Sequence, residues 1–518
     1  MLRKIGFIAS LCIIASMGIA SAQTDKYSDL TNPGLVDINK EAARSSFMTF
    51  DNEASAIENQ YNTSPYYLSL NGEWKFALAD NPADRPKDFY KPSFDVSGWK
   101  NIAVPGNWEM QGFSFPIYVN TSYEFVNKGN SPYMEAPKPP YVPEAFNPVG
   151  MYRREFEVPA AWDGREIFLS IDGVKSAAYV YVNGEFVGMS KDSKTPSRYD
   201  ITRFVKNGKN ILALEVYRWS DATYVECQDF WRMSGIERDV YLYAQPKVRI
   251  ADFFAKTPLD AQFKDGLFSV DVALKNHTGA AAGYKLSCKL LDAEGKAVFA
   301  EEKAVNVDKT AGCTFAKQIE NAASWTAETP NLYTLVLTLK DGNGKVQESV
   351  SHQVGFRTVE IKNKQLLVNG QPILMKGVNI HEHNPATGHY MTEDLMRKDF
   401  ELFKKLNVNT VRTSHYPQPE MFYKMSDEYG IYIIDEANVE AHGMGYNLRK
   451  GGTIGNTPIY EPTIVDRARN MVERDKNHPS VVIWSLGNES GNGYNFYQSY
   501  NWIRERDDSR PIQYERAE

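Results

Sequence analysis

From residue 360 onward, short apolar runs alternate with amphipathic helical stretches, and this alternation restricts the fold more than any other feature. "LLVNGQPILMKGVN" reads as a hairpin leading into a strand. "TEDLMRKDFELFKKLN" puts Met396, Phe400 and Phe403 on one helical face, with Thr392 placed as N-cap. "TVRTS" then reads as a strand, and "PEMFYKMSDEYG" as a helix closed by Gly430. "IYIIDEAN", "SVVIWSLGNES" and "PIQYE" read as further strands, separated by the helical "TIVDRARNMVERDKN" and "NFYQSYNWIRERD". Strands joined by helices pair in parallel, so residues 360–518 are expected to form a (β/α) barrel of the TIM type, cut off after about five strands.

In such a barrel the strand bodies are core and their C-terminal ends face the active site. Polar residues fall at those ends: Asn379, His381, Glu382 and His383 after the first strand, Ser414 and His415 after the second, Asp435, Glu436, Asn438, Glu440 and His442 after the third, Asn488 and Glu489 after the fourth, and Glu515 after the fifth. A single Glu ending a strand is ordinarily a solvated surface residue; several strand ends converging make a candidate site. Half of the 8 histidines, His381, His383, His415 and His442, fall there, with His383 expected in a supporting role. Trp484 sits in a strand body and is read as core.

Upstream the period changes. "REIFLSIDGV", "AYVYVNGEFVG" and "NILALEVYRW" alternate as strands, and Asn183-Gly184 marks a tight hairpin. Residues 45–245 are expected to form an all-β jelly-roll sandwich, and residues 247–358 a smaller, immunoglobulin-like β-sandwich.

Residues 1–22 have a basic start, an apolar stretch and a small-residue end at Ala20-Ser21-Ala22, the pattern of a cleaved signal peptide. Export to the periplasm or beyond is therefore expected, with no membrane association after cleavage. Of the 4 Cys, Cys12 leaves with that segment; Cys227, Cys288 and Cys313 match no disulfide or zinc spacing and are read as buried thiols. A net charge of -7 argues against nucleic acid or an anionic membrane as partner.

Two chemistries compete at the strand ends. Glycoside hydrolysis needs a carboxylic acid to protonate the leaving oxygen and a second carboxylate across the sugar; Glu489, ending an apolar strand, suits the acid. Metal-assisted amide hydrolysis would use the pair His381-x-His383, but needs later ligands that "PIQYERAE" does not offer. The sugar chemistry accounts for more of the residues. Glu440 and His442, spaced i, i+2, suit acid–base work or a hard cation equally.

The runs "SLNGEWKF", "VPGNWEMQGF" with "PIYVN", "RWSDATYVECQDFWRMSGIERDVYLYA", "GVNIHEHNP", "VRTSHYP", "DEANVEAHG" and "RNMVERDKNHPSVVIWSLGNESGNG" resemble the β-galactosidases of glycoside hydrolase family 2, in order, over most of the chain. The resemblance implies a retaining hydrolase of terminal β-D-galactose residues, with Glu489 as acid/base and Asn488 reading a sugar hydroxyl. It implies that His381 and His415 bind sugar, that Glu440, His442 and Glu489 hold magnesium, and that Asn120 and Asp221 join the galactose pocket, Asp221 also near a monovalent cation. It implies a nucleophilic Glu on a seventh strand, beyond residue 518, so that this chain alone is expected to be inactive, and homo-oligomers when full length. The alternatives are another glycosidase of the family, a β-glucuronidase or β-mannosidase, or a carbohydrate-binding fragment without catalysis.

Overall fold

The computed structural model describes residues 26–120, 122–125, 138–445 and 447–517; the expected signal peptide lies outside them. Two sheets form the first domain. One has seven strands, in the order Asp37–Ile38, Glu185–Ser190, Ala177–Val182, Lys209–Tyr217, Val149–Glu157, Gly72–Ala79 and Lys100–Val104. The other has four, Ser197–Asp200, Glu166–Ile171, Val240–Gln245 and Tyr67–Ser69. All neighbours pair antiparallel. Trp74, Trp162, Leu169, Val180, Leu214 and Leu242 form the core between them. Asn183 and Gly184 both take positive φ, 53° and 91°, as a two-residue hairpin turn of the primed type requires.

The second domain is a sandwich of three and four antiparallel strands around Phe268, Val272, Leu286, Cys288, Phe315 and Leu337. Cys227, Cys288 and Cys313 are free thiols, Cys313 only half-buried. Burial pushes the Cys288 thiol well up, so it behaves as a small hydrophobe. The segment before Tyr67–Ser69 is shared between domains: Asp37–Ile38 extends the large sheet, while Phe50, inside the span expected for the jelly roll, forms a bridge to Ser349 of the second sandwich.

The last domain is a five-stranded parallel sheet, β1 (Gly377–Asn379), β2 (Thr410–Arg412), β3 (Tyr432–Glu436), β4 (Val481–Ser485) and β5 (Ile512–Gln513), paired in chain order. Helices α1 (Glu393–Lys405), α2 (Glu420–Tyr429), α3 (Glu461–Asp475) and α4 (Tyr494–Arg506) connect them. The Thr392 hydroxyl accepts from the Leu395 amide at 3.3 Å and starts α1; Met396 and Phe400 are buried and Phe403 packs at the edge. Gly430, at φ 69°, ends α2 in a conformation that favours glycine. Trp484 is wholly buried. Among the described residues no helix is long and apolar enough to cross a membrane.

Candidate functional site

The period of a strand decides which side chains enter the barrel. On β3, Asp435 turns outward to the Tyr423 hydroxyl, 2.6 Å away, while Glu436 turns inward. There Glu436 meets Arg412 of β2 through two bonds of 2.7 and 2.9 Å, and Ser485 of β4 at 2.6 Å. Gln513 of β5 donates to Ser485 at 2.6 Å, so one polar layer crosses four strands. His415 Nδ1 joins Glu436 at 2.7 Å. Burial opposes ionisation of Glu436, but His415 and Arg412 hold its carboxyl below the usual range.

Above that layer lie the candidate residues. Asn488 accepts from Arg412 at 2.9 Å and donates to Glu440 at 3.1 Å, which fixes its amide orientation. His442 lies between two carboxylates: its Nδ1 is 3.0 Å from Glu440, without hydrogen-bond alignment, and its Nε2 bonds Glu489. Burial disfavours the charged ring, yet Glu440 and Glu489 outweigh it and raise its pKa to about 9. Glu489 is the partly open end of this chain, its side chain 34 % exposed and 3.7 Å from Arg516. Glu515 is exposed and pairs with the same Arg516 at 3.3 Å.

His381 stacks on Phe230 at 5.1 Å and sits 3.3 Å from the Tyr416 hydroxyl. Burial and the neighbouring His415 ring push its pKa down to about 3, so it is a neutral hydrogen-bonding group. His383 is exposed; among the described residues its ring approaches that of His389, at 6.2 Å, and not that of His381, so the two are not paired as metal ligands. His389, which the strand-end pattern does not single out, is fully buried and bonded to Glu237 at 2.9 Å.

The jelly roll supplies part of the site's backbone. The amide of Glu440 donates to Val225 O at 2.7 Å and Cys227 donates to Glu440 O at 2.9 Å, a two-bond rung between domains. Glu226, between them, is buried and bonds Asn438 at 2.9 Å and Arg467 of α3 at 2.7 Å. Arg412, Phe230 and Glu226 are absent from the strand-end reading. Arg412 had a local signal, a charge inside the apolar "TVRTS"; the other two had none.

Glu440, His442 and Glu489 carry donor types a hard divalent ion accepts, although as placed the His442 ring stands between the two carboxylates, one on each nitrogen. Glu440 Oε2 is buried without a hydrogen-bond partner, a costly state that a cation relieves, and carboxylate oxygens are the donors magnesium prefers. Binding through His442 displaces its proton, so ion and proton compete.

At Asp221 the Lys191 ammonium stands where a monovalent cation would. Asp221 is buried, and Lys191 Nζ lies 2.9 Å from both its carboxylate oxygens. The same ammonium donates to the carbonyls of Asp29, at 2.9 Å, and Asn32, at 3.0 Å. Its three protons are used, and a carboxylate with two carbonyls is the shell a monovalent metal ion would need. As placed, Asp221 forms an ion pair with Lys191 inside the jelly roll, and among the described residues it meets none of the other candidate groups. The melting temperature should therefore be equal in sodium, potassium and choline chloride at one ionic strength; a sodium-selective rise of several degrees would contradict this. Asn120 is exposed, two residues beyond the short strand Ile117–Tyr118.

A jelly roll seated on barrel strand ends that carry a carboxylate, imidazoles and an amide is the arrangement of a glycoside hydrolase. The chain belongs to glycosyl hydrolases family 2: the family's sugar binding domain matches residues 67–246, its central domain 248–357 and its TIM barrel domain 359–518. A beta-galactosidase of Priestia megaterium is 42% identical over 93% of this chain and 47% of its own length. One of Clostridium acetobutylicum is 40% identical over 94% of this chain and 53% of its own. The chain spans about half the length of these curated relatives. Among solved structures, a Bacteroides uniformis beta-glucuronidase superposes with a TM-score of 0.71 over 86% of this chain and 52% of its own, at 22% identity. That likeness is one of fold.

Proposed function

We propose that the protein hydrolyses terminal non-reducing β-D-galactose residues of β-galactosides with retention, after export. The observation that carries this is Asn488–Glu489 at the tip of β4, with the amide held between Arg412 and Glu440. Glu489 would give its proton to the leaving oxygen and later take one from water. Asn488 and the neutral His381 would bind sugar hydroxyls, and Asn120 would reach in from the jelly roll. Glu440, His442 and Glu489 would hold a magnesium ion, whose charge would tune the acid and orient substrate. Identity near 40% to proteins named beta-galactosidase favours galactose over the glucuronide named for the structural neighbours, which share only about 22%.

A retaining enzyme needs a nucleophilic carboxylate about 5–5.5 Å from the acid/base. Among the described residues, Glu440 approaches Glu489 through His442 and Glu515 through Arg516. Glu440 is committed to Asn488 and the metal role, and Glu515 is exposed. We therefore place the nucleophile outside these 518 residues and expect background turnover from them alone. Titrating the chain with methyl β-galactoside, β-glucuronide and β-mannoside tests the reading. Galactoside binding should dominate and fall at least tenfold in Asn488→Ala. Preference for the glucuronide or mannoside would overturn the substrate, and steady turnover of an aryl β-galactoside would overturn the nucleophile assignment.

A further inference from the structure

We propose that Tyr118 and Trp231 form a second sugar subsite beside the pocket, a platform for the pyranose ring that follows the terminal galactose of an oligosaccharide. The proposal rests on the glycosidase reading and extends it from one sugar to two.

A short antiparallel ribbon, Ile117–Tyr118 with Trp231–Arg232, sets Tyr118 directly across from Trp231. Their ring centroids are 5.5 Å apart. Tyr118 is 54% exposed and Trp231 42%, and Phe115, just before the ribbon, is 57% exposed. Single exposed apolar residues are ordinary, but neighbouring aromatics in ring contact on one ribbon make a patch that asks for an occupant. The ribbon is held from beneath. Arg232 is almost wholly buried and donates to Glu226 O and Val119 O, each at 3.5 Å. The platform is thus presented on a fixed backbone, and little order must be gained on binding.

Its place identifies the occupant. Phe230, adjacent to Trp231, stacks on His381 at 5.1 Å with 15° between planes, and on His389 at 4.5 Å. Asn120 follows Tyr118 by two residues, just past the end of the strand that pairs with Trp231–Arg232. Consecutive residues thus place one ring, Phe230, against the candidate histidine His381 and the next, Trp231, at the surface. A pyranose lays its C–H face on an aromatic plane and keeps its hydroxyls at the rim, which suits Trp and Tyr with their apolar bodies and polar tips. At that rim, Asp229 Oδ1 accepts the Tyr118 hydroxyl at 3.1 Å, fixing the ring and adding an acceptor for sugar hydroxyls. A carboxylate here disfavours a phosphate-bearing or otherwise anionic occupant.

Calorimetric titration of the whole chain with galactose and with a β-galactosyl disaccharide tests this, using wild type, Trp231→Ala and Trp231→Phe. Wild type should bind the disaccharide at least tenfold more tightly than galactose. Trp231→Ala should erase that difference and leave galactose affinity unchanged, and Trp231→Phe should keep part of it. Equal disaccharide affinity in wild type and Trp231→Ala overturns the platform while galactose binding leaves the pocket standing. No saccharide binding by folded wild type overturns both. Self-association of the wild type that Trp231→Ala abolishes would assign the patch to a second copy of the chain and overturn the proposal.

Discussion

Arg467→Ala should cost the folded chain about 3–5 kcal/mol, because it strands a buried carboxylate. Arg467 projects from α3 into the junction with the jelly roll, its side chain 2% exposed. It meets Glu226 at 2.7 Å and the Lys191 carbonyl at 3.1 Å. Glu226 also accepts the Ser193 amide at 3.2 Å and Asn438 at 2.9 Å. Asp192 stands beside it, taking Asn438 at 3.1 Å and Asn470 at 3.0 Å. Burial works against the charge on Asp192, and Arg467 is the first of the groups that hold its carboxyl below the usual range. Removing the guanidinium leaves two carboxylates in a dry interface. Urea unfolding of Arg467→Ala, Glu226→Ala and the double variant should show the double costing less than the sum, since each single change strands the other partner. A loss under about 1 kcal/mol for Arg467→Ala would mean that water reaches the junction.

Gly487→Ala should be the most damaging small change near the site. Gly487 lies between the apolar body of β4 and its polar tip, at φ 135°, where L side chains are strained by about 1–3 kcal/mol. A Cβ there would stand 2.6 Å from Val439 O, the same carbonyl that accepts the Asn488 amide at 2.8 Å. Relief requires the tip of β4 to move away from the loop after β3, which carries Asn488 from Arg412 and Glu489 from His442. Galactoside binding should fall at least tenfold and the melting temperature by several degrees. Wild-type binding in this variant would show that the tip is not held where its function is assigned.

Local physics wrote much of this fold into the sequence. Thr392, Gly430 and Asn183-Gly184 announce their caps and turns because each acts within a few residues of itself. The strand ends announce the site because several buried strands finish together on polar groups, among them His415, Glu440 and Glu489, where one alone would read as surface. What stays hidden is pairing across long sequence separation. Arg467 and Glu226 are 241 residues apart, and neither has a neighbour that signals the other. Asp221 shows the same limit: its local setting reads as a turn residue, only the family resemblance implies a pocket role, and nothing near it in the string signals Lys191, thirty residues away. His383 reads in the string as a supporting neighbour of His381, and the path of the chain after β1 instead turns it to solvent.

The backbone rung between residues 225–227 and Glu440 bears on how such enzymes are recombined. A chimaera joined near residue 246 or 358, where the domain matches meet, would unite a barrel from one parent with a jelly roll from another. Its crossover would leave every strand intact and still split the clamp on the loop that carries Glu440, along with the Glu226–Arg467 pair beneath it. The first and third domains are therefore best inherited together, and the middle sandwich is tied to the barrel as well, through Arg357 to the carbonyls of Pro479 and Val481 at 2.6 and 2.7 Å.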